Sequence, residues 1–217
     1  MKKIFLFLIS LVAGIIFIAI YAKLADQKSS QNIISPASDT SRFSLESAPG
    51  RSLRGKILSF SGSVDWQSRS ATMPATLAKV IPIQQGEKII TKNGKIKIQF
   101  EHELTLNILP DTQVEFIQTL PENIVIAQSK GTADYSKTGT ASVSVRTIHL
   151  LTEVNGNAVV SLDKNTPVVT VDVYKGLVKE AFNDLEYAST VITISEGKQF
   201  IFNDETREST IKLSINK

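Results

Sequence analysis

The chain of 217 residues contains no cysteine and only two histidines, His102 and His149. Without cysteine it can form neither a disulfide framework nor a thiolate metal site, and it lacks a thiol nucleophile. The Gly-x-Ser-x-Gly motif that exposes a nucleophilic serine is also missing. These absences argue against an enzyme. We therefore expect a domain held together by core burial alone, without catalytic, cofactor-binding or metal-binding residues.

A strong charge imbalance is missing as well, because the formal net charge is only +3 and the isoelectric point is near 9.0. Lys88, Lys92, Lys95 and Lys97 cluster in the sequence, but no aromatic residues are interleaved with them as stacking platforms for bases. Nucleic acid is therefore not an expected partner. The cluster is interpreted as a solvated strand face, with attraction to anionic head groups or envelope polymers as the alternative.

The longest uncharged stretch, residues 4–22, lies near the amino terminus and predicts a transmembrane helix. At 1.5 Å per residue it spans about 28 Å, close to the thickness of a bilayer's hydrocarbon core. A cleaved signal peptide is the competing interpretation, since Met1, Lys2 and Lys3 form a basic start. The stretch is longer than a signal core, however, and lacks a good small-x-small cleavage site. The positive charge ahead of it favours an N-terminus inside the cell.

Three segments follow from this pattern. Residues 1–22 are the predicted anchor of a single-pass protein of the bacterial cell membrane. Residues 23–52 are rich in Ser, Gln, Asn, Ala and Pro and predict a flexible linker. Residues 53–217 are the predicted folded domain. The predicted topology places this domain outside the cytoplasm, in the periplasm or the extracellular space.

The clearest strand signal is a pair of alternating runs in the middle of the chain. Apolar and polar residues alternate with period two over Ile96–Phe100 and again over Leu104–Ile108. The short break Glu101–Glu103 predicts an antiparallel hairpin between them. Ahead of it, Lys92–Gly94 supplies residue types that tolerate positive φ and predicts a turn. Each strand should therefore bury one apolar face.

Strand signals recur along the rest of the domain at spacings of about 8–12 residues, which is typical of sandwiches, barrels and solenoids. Leu58, Phe60, Val64 and Trp66 share a parity and are expected to face the core. Asn155-Gly156 lies between two β-prone runs and predicts a type I′ hairpin. The sequence therefore predicts an all-β domain, either an antiparallel sandwich or jelly roll, or a β-solenoid-like fold.

Few polar groups are candidates for a functional site. Glu101–Glu103 contains three metal-ligating residue types, but three consecutive side chains in a tight turn diverge, so a solvated turn is the preferred interpretation. His149 is expected to face water or to be satisfied by hydrogen bonds. The acidic pairs in Asp184–Glu186 and Asp204–Glu205 are expected to be solvated, as carboxylates in turns usually are.

The order of these strands and turns resembles the FecR-like domain family over roughly residues 53–202. The family's core is resembled by Gly86-Glu87, by Thr91 to Gly94 and by Leu109-Pro110-Asp111-Thr112. Its other strands and glycine turns are resembled by Gly55 to Ile57, Ser61 to Val64, Val143 to Thr147, Lys175 to Val178 and Glu196 to Lys198. The chain departs from the family at Asn155-Gly156-Asn157, where members often have Arg-Gly-Thr.

The resemblance implies an extracytoplasmic β-domain that acts by binding an envelope protein, a glycan or a signal. The transmembrane anti-sigma regulators of the family place a cytoplasmic helical domain ahead of the membrane span. Only three residues precede the span here, so we expect that activity to be absent. The alternative function is a lipid carrier of the lipopolysaccharide-transport type, in which a jelly roll would line an open groove with its apolar residues.

Overall fold

The structure is a computed structural model that describes residues 51–163 and 165–214. The predicted anchor, residues 1–22, lies outside the described residues, as does nearly all of the predicted linker. Within the described part, no helix is long and apolar enough to cross a membrane. The described residues form strands and turns without any helix, so the all-β prediction is confirmed.

Fifteen strands are found among the described residues. In chain order they are β1 Gly55–Ser61, β2 Val64–Gln67, β3 Ala75–Thr76, β4 Pro82–Ile83, β5 Lys88–Thr91, β6 Lys95–Phe100, β7 Leu104–Ile108, β8 Gln113–Thr119, β9 Asn123–Lys137, β10 Ser142–Arg146, β11 Leu150–Leu162, β12 Val168–Asn183, β13 Ser189–Ser195, β14 Lys198–Asn203 and β15 Ser209–Leu213.

The strands form two layers, which share the three long strands β9, β11 and β12. Layer A has the order β4-β1-β6-β7-β9-β11-β12-β14-β15. Layer B has the order β3-β2-β5-β8-β9-β10-β11-β12-β13. Strand β9, for example, pairs with β8 and β10 in its first half and with β7 and β11 in its second half. The pairings are antiparallel except for β9 with β10, which is parallel.

The long strands pass from one layer to the other at glycines. Gly156 in β11 lies opposite Gly176 in β12, with φ values of 138° and 80°. A Cβ on Gly156 would clash with the carbonyl oxygen of Lys175, and a Cβ on Gly176 would clash with that of Asn155. Only glycine therefore fits at either position, because it combines the required φ with the close backbone approach.

The predicted hairpin at Asn155-Gly156 is wrong. Both residues lie inside the continuous strand β11, which pairs with β12 on both sides of the bend. The positive φ of Gly156 bends the strand between layers instead of reversing the chain. A register shift between Asn157 and Ala158 accompanies the bend, as expected for a β-bulge that increases local twist.

The core lies between the layers and is built around the predicted central hairpin. Strands β6 and β7 pair as expected, and their apolar residues Ile96, Ile98, Phe100, Leu104, Leu106 and Ile108 are all buried. Phe100 of layer A contacts Phe116 of layer B, with ring centroids 5.2 Å apart. Towards the other edge, Phe182 of layer B lies 4.8 Å from Phe202 of layer A. Each fully buried aromatic or aliphatic side chain stabilises the fold by about 1.5–3 kcal/mol.

The first strand departs from the predicted parity. Leu58 was expected to face the core, but it is exposed, and Ile57 is buried in its place. The reason is a register shift between Ile57 and Ser59 against β6, which moves the side chains that follow to the other face. After the shift, Phe60 pairs with the buried Ile96 and packs half-buried against the core, and Val64 reaches the core as predicted.

The hydroxyls of two buried threonines, Thr91 and Thr112, fasten the turns that resemble the FecR-like core. The hydroxyl of Thr91 donates to the carbonyl of Leu109 and accepts the backbone N–H of Thr112 at 2.9 Å. The hydroxyl of Thr112 accepts the backbone N–H of Thr132 at 2.8 Å. These hydrogen bonds join segments that are far apart in sequence. The residues that resemble the family's motif therefore stabilise the turns of the fold.

Substitution of Gly156 tests the role of the strand bend. Gly156→Ala should lower the free energy of unfolding by at least about 2 kcal/mol, because the new Cβ meets backbone and the φ value is unfavourable. Gly197→Ala is the matched control: its φ is 76°, but a Cβ there would meet nothing within 4 Å, so a loss of about 1 kcal/mol is expected. Urea denaturation followed by the fluorescence of Trp66, the only tryptophan, measures both. Equal losses would contradict the role of the close backbone approach.

Candidate functional site

Two surface grooves are the candidate sites within the described residues. The turn groove has a volume of about 450 Å³ and lies where the β10–β11 turn meets the ends of β12 and β13. The face groove has a volume of about 460 Å³ and lies on the outer face of layer A. Both are concave enough to hold a few side chains or sugar rings.

The turn groove combines an apolar floor with an apolar rim. Its floor includes the buried side chains of Leu150 and Phe182, which belong to the hydrophobic core. At its rim, Ile148 is 63% exposed and Val191 is 67% exposed. Leu151 also contributes to the lining and faces solvent. Large apolar side chains grouped in this way on a surface are typical of contact sites for other molecules.

The same groove carries positive charge. Arg146 and Arg207 line it, together with His149. The Nδ1 atom of His149 lies 2.9 Å from Oδ2 of Asp204, and a carboxylate can only accept, so Nδ1 donates. This bond connects the β10–β11 turn of layer B to the β14–β15 turn of layer A. His149 is thus satisfied by a hydrogen bond, in agreement with one of the two expectations for it.

Two polar atoms at the turn groove are buried without a hydrogen-bond partner among the described residues: Nε of Arg207 and Oδ1 of Asp204. A buried polar atom without a partner is costly, so such atoms often mark places where a ligand supplies the missing bond. The backbone of Arg207 also has a φ of 60°, an uncommon value for a residue other than glycine. Asp204, expected to be a solvated acid, is buried instead.

The face groove is polar. Ser59, Lys97, Asn107 and Asp134 follow one another across strands β1, β6, β7 and β9. Lys95 and the hydroxyls of Ser61, Thr105 and Ser136 complete the polar lining. Burial raises the pKa of the Asp134 carboxyl, and the nearby charge of Lys97 partly offsets this.

The four clustered lysines divide into two pairs. Lys88 forms an ion pair with Glu115 at 3.1 Å, and Lys92 forms one with Asp65 at 2.8 Å. The hydrogen bond from Lys92 holds the pKa of Asp65 below its ordinary value. Lys95 and Lys97, by contrast, point into the face groove. The sequence pattern identified the cluster but could not show that half of it is neutralised.

The other acidic candidates have structural roles. Glu101–Glu103 forms the β6–β7 turn, and the Glu103 carboxylate accepts the backbone N–H of Ala141 at 2.7 Å. Among the described residues, no group of three or more acidic or histidine side chains is arranged to hold a metal ion. The Asp184 carboxylate accepts the backbone N–H groups of Glu186 and Ala188, which fixes the β12–β13 turn.

A buried acid lies inside layer B. The hydroxyl of Thr152 donates to Oε2 of Glu180 at 2.7 Å, whereas Oε1 has no hydrogen-bond partner among the described residues. Burial raises the pKa of Glu180 to about 8, so the carboxyl is mainly protonated at neutral pH. Sequence analysis missed this residue, although it alternates with Val178 and Phe182 on the inward face of β12.

Comparisons with known proteins give the fold a counterpart. Two crystal structures of a "putative anti-sigma factor from Parabacteroides distasonis", at 2.50 and 1.65 Å resolution, are similar to the chain with a TM-score of 0.50. Sequence identity is 15%, and the similarity covers 58% of this chain and 59% of that chain. At this identity the likeness concerns the fold alone. No protein-family profile matches the chain, and no curated protein does.

The buried acid predicts how stability depends on pH. The folded protein keeps a proton on Glu180 up to about pH 8, whereas the unfolded chain releases it above the ordinary value of 4.5. The folded state therefore binds more protons between these values, and the free energy of unfolding should fall as pH rises from about 5 to 8. Glu180→Gln keeps the size and the acceptor for Thr152, so it should remove this part of the slope. Urea denaturation at several pH values measures the difference, and an unchanged slope would contradict the assignment.

Proposed function

We propose that the protein is a membrane-anchored, extracytoplasmic binding module of the FecR-like type, which contacts a partner protein of the bacterial envelope through the turn groove. The observation that carries this proposal is the buried, unpartnered Nε of Arg207 beside an apolar floor and exposed apolar side chains. An interface commonly combines an arginine with apolar anchors in this way. The partner should therefore supply an acidic or carbonyl acceptor next to an apolar side chain.

Two independent likenesses support this class. The motif residues resemble the FecR-like family, which includes transmembrane anti-sigma regulators. The fold, in turn, is similar to crystal structures of the Parabacteroides distasonis protein. The similarity spans 59% of that protein, so the activity of the whole protein is not carried over to this chain. What the two likenesses share is an all-β domain.

The packing of the interior favours a binding module over a lipid carrier. A carrier needs an open apolar groove between the layers, which would expose the inward-facing side chains. Here Phe100 and Phe116 fill the space between the layers at one position, and Phe182 and Phe202 fill it at another. All four rings are less than 10% exposed. Part of the apolar surface that remains exposed, from Ile148, Leu151 and Val191, lines the turn groove, where a partner's side chains could cover it.

The proposed topology can be tested with single cysteines, because the chain has none of its own. Ser195→Cys, at an exposed position of β13, should react with a membrane-impermeant maleimide in spheroplasts. Lys3→Cys is the control and should react only after the membrane is dissolved, since it precedes the predicted span. Labelling in the opposite order would contradict the extracytoplasmic placement.

The proposed contact can be tested by photo-crosslinking in intact cells. A photoreactive residue at Val191 should give an adduct of one discrete mass with an envelope protein, and one at Ser195 of the same strand should not. Arg207→Gln should reduce the Val191 adduct about ten-fold, because it removes a charged hydrogen-bond donor. Arg54→Gln, a matched loss of charge at an exposed residue outside the groove, should leave the adduct unchanged. Equal adducts from Val191 and Ser195, or equal effects of the two arginine variants, would contradict the proposal.

A further inference from the structure

We propose that the face groove is a binding site for an acidic polysaccharide, one whose sugar rings carry carboxylate or phosphate groups. The site is separate from the turn groove, and the inference does not depend on the proposed protein partner. It rests on the side chains that the four strands β1, β6, β7 and β9 present on the outer face of layer A.

The spacing of these polar groups suits a chain of sugars. Ser59, Lys97, Asn107 and Asp134 are direct cross-strand neighbours, one on each successive strand. Since neighbouring strands lie about 4.8 Å apart, the four positions present hydrogen-bonding groups over about 14 Å. This is the length scale of a short oligosaccharide. The groove, with a volume of about 460 Å³, would hold one part of such an oligosaccharide, and the rest would extend into solvent.

The charge of the groove selects for an anionic ligand. Lys95 and Lys97 both line it, and no carboxylate among the described residues lies within 4.0 Å of either ammonium group. Lys88 and Lys92, from the same stretch of sequence, are already paired with Glu115 and Asp65. The two lysines of the groove therefore remain able to bind a carboxylate or phosphate. Hydrogen bonds to such charged acceptors are stronger than hydrogen bonds to neutral ones.

The remaining groups distinguish a sugar from a simple anion. Asp134 is half-buried in the groove, and its carboxylate would repel a bare phosphate but can accept hydrogen bonds from sugar hydroxyls. Asn107 offers both a donor and an acceptor, as the hydroxyls of Thr105 and Ser136 do. Together, these groups match a polyhydroxylated ring with an attached anion.

Isothermal titration of the full chain in a non-ionic detergent tests the site, with tetragalacturonate as the acidic probe and maltotetraose as the neutral one. Tetragalacturonate should bind. Maltotetraose should bind at least about ten-fold more weakly, because this neutral sugar has no carboxylate to accept hydrogen bonds from the two lysines. The double variant Lys95→Gln with Lys97→Gln should weaken tetragalacturonate binding about ten-fold. The double variant Lys175→Gln with Lys198→Gln removes the same charge outside the groove and should leave binding unchanged.

A third variant separates a built site from general charge attraction. Asn107→Ala changes no charge, so it should weaken binding of tetragalacturonate several-fold only if the amide contacts the sugar. Equal losses in the two lysine variants, no loss in Asn107→Ala, or absence of tetragalacturonate binding would each overturn the proposal. Vesicles containing phosphatidylglycerol provide the remaining arm. Binding to these vesicles that depends on Lys95 and Lys97, without binding of the oligosaccharide, would assign the groove to a membrane surface instead.

Discussion

The fold depends on long strands that change layers without breaking their ladders. A strand can do this only where the backbone adopts a conformation that side chains oppose, and Gly156 and Gly176 meet that condition directly opposite each other. Because the two bends coincide, β11 and β12 stay paired through both layers, from Leu150 with Phe182 to Leu162 with Val169. The bend thus turns the apolar faces of the two layers towards each other. In a flat sheet these two faces would lie side by side on the same side of the sheet.

The bends also decide where the surface grooves lie. With β11 and β12 running through both layers, the turns at their ends come from different layers but stand side by side. His149 follows β10 in layer B, and Asp204 follows β14 in layer A, yet their side chains form a hydrogen bond. Arg207 belongs to the same β14–β15 turn. The turn groove is therefore a consequence of layer sharing, and its residues need no common sequence motif.

Sequence reasoning reached the class of fold and its centre because those signals are local. The alternation of Ile96–Phe100 and Leu104–Ile108 fixes both period and burial, and a short polar turn between such runs leaves little choice but a hairpin. The hairpin predicted at Asn155-Gly156 was wrong because this residue pair suits a hairpin turn and a strand bend equally well. What decides between them is Gly176, a partner 20 positions away that pairs only in the folded chain. At Leu58, a single bulge reversed an otherwise correct parity.

The candidate sites were less accessible to sequence reasoning, for the same physical reason. The turn groove joins His149 to residues more than 50 positions further along, so nothing in a local window connects them. Lys95 and Lys97 were visible as a cluster, but the absence of an ion pair at either one depends on where the acids of other strands lie. Glu180 is the exception, because its place between Val178 and Phe182 marks it as inward-facing from the sequence alone.

Side chains fill the space between the layers, which leaves the surface for binding. Replacing the fully buried ring of Phe116, which packs on Phe100 across the layers, tests this packing. The measurement is the free energy of unfolding of Phe116→Ala, from urea denaturation followed by Trp66 fluorescence. A close-packed interior predicts a loss of about 3–5 kcal/mol, the usual cost of removing a buried ring. A loss below about 1 kcal/mol would mean an open, adaptable interior, and would contradict the account in favour of a carrier.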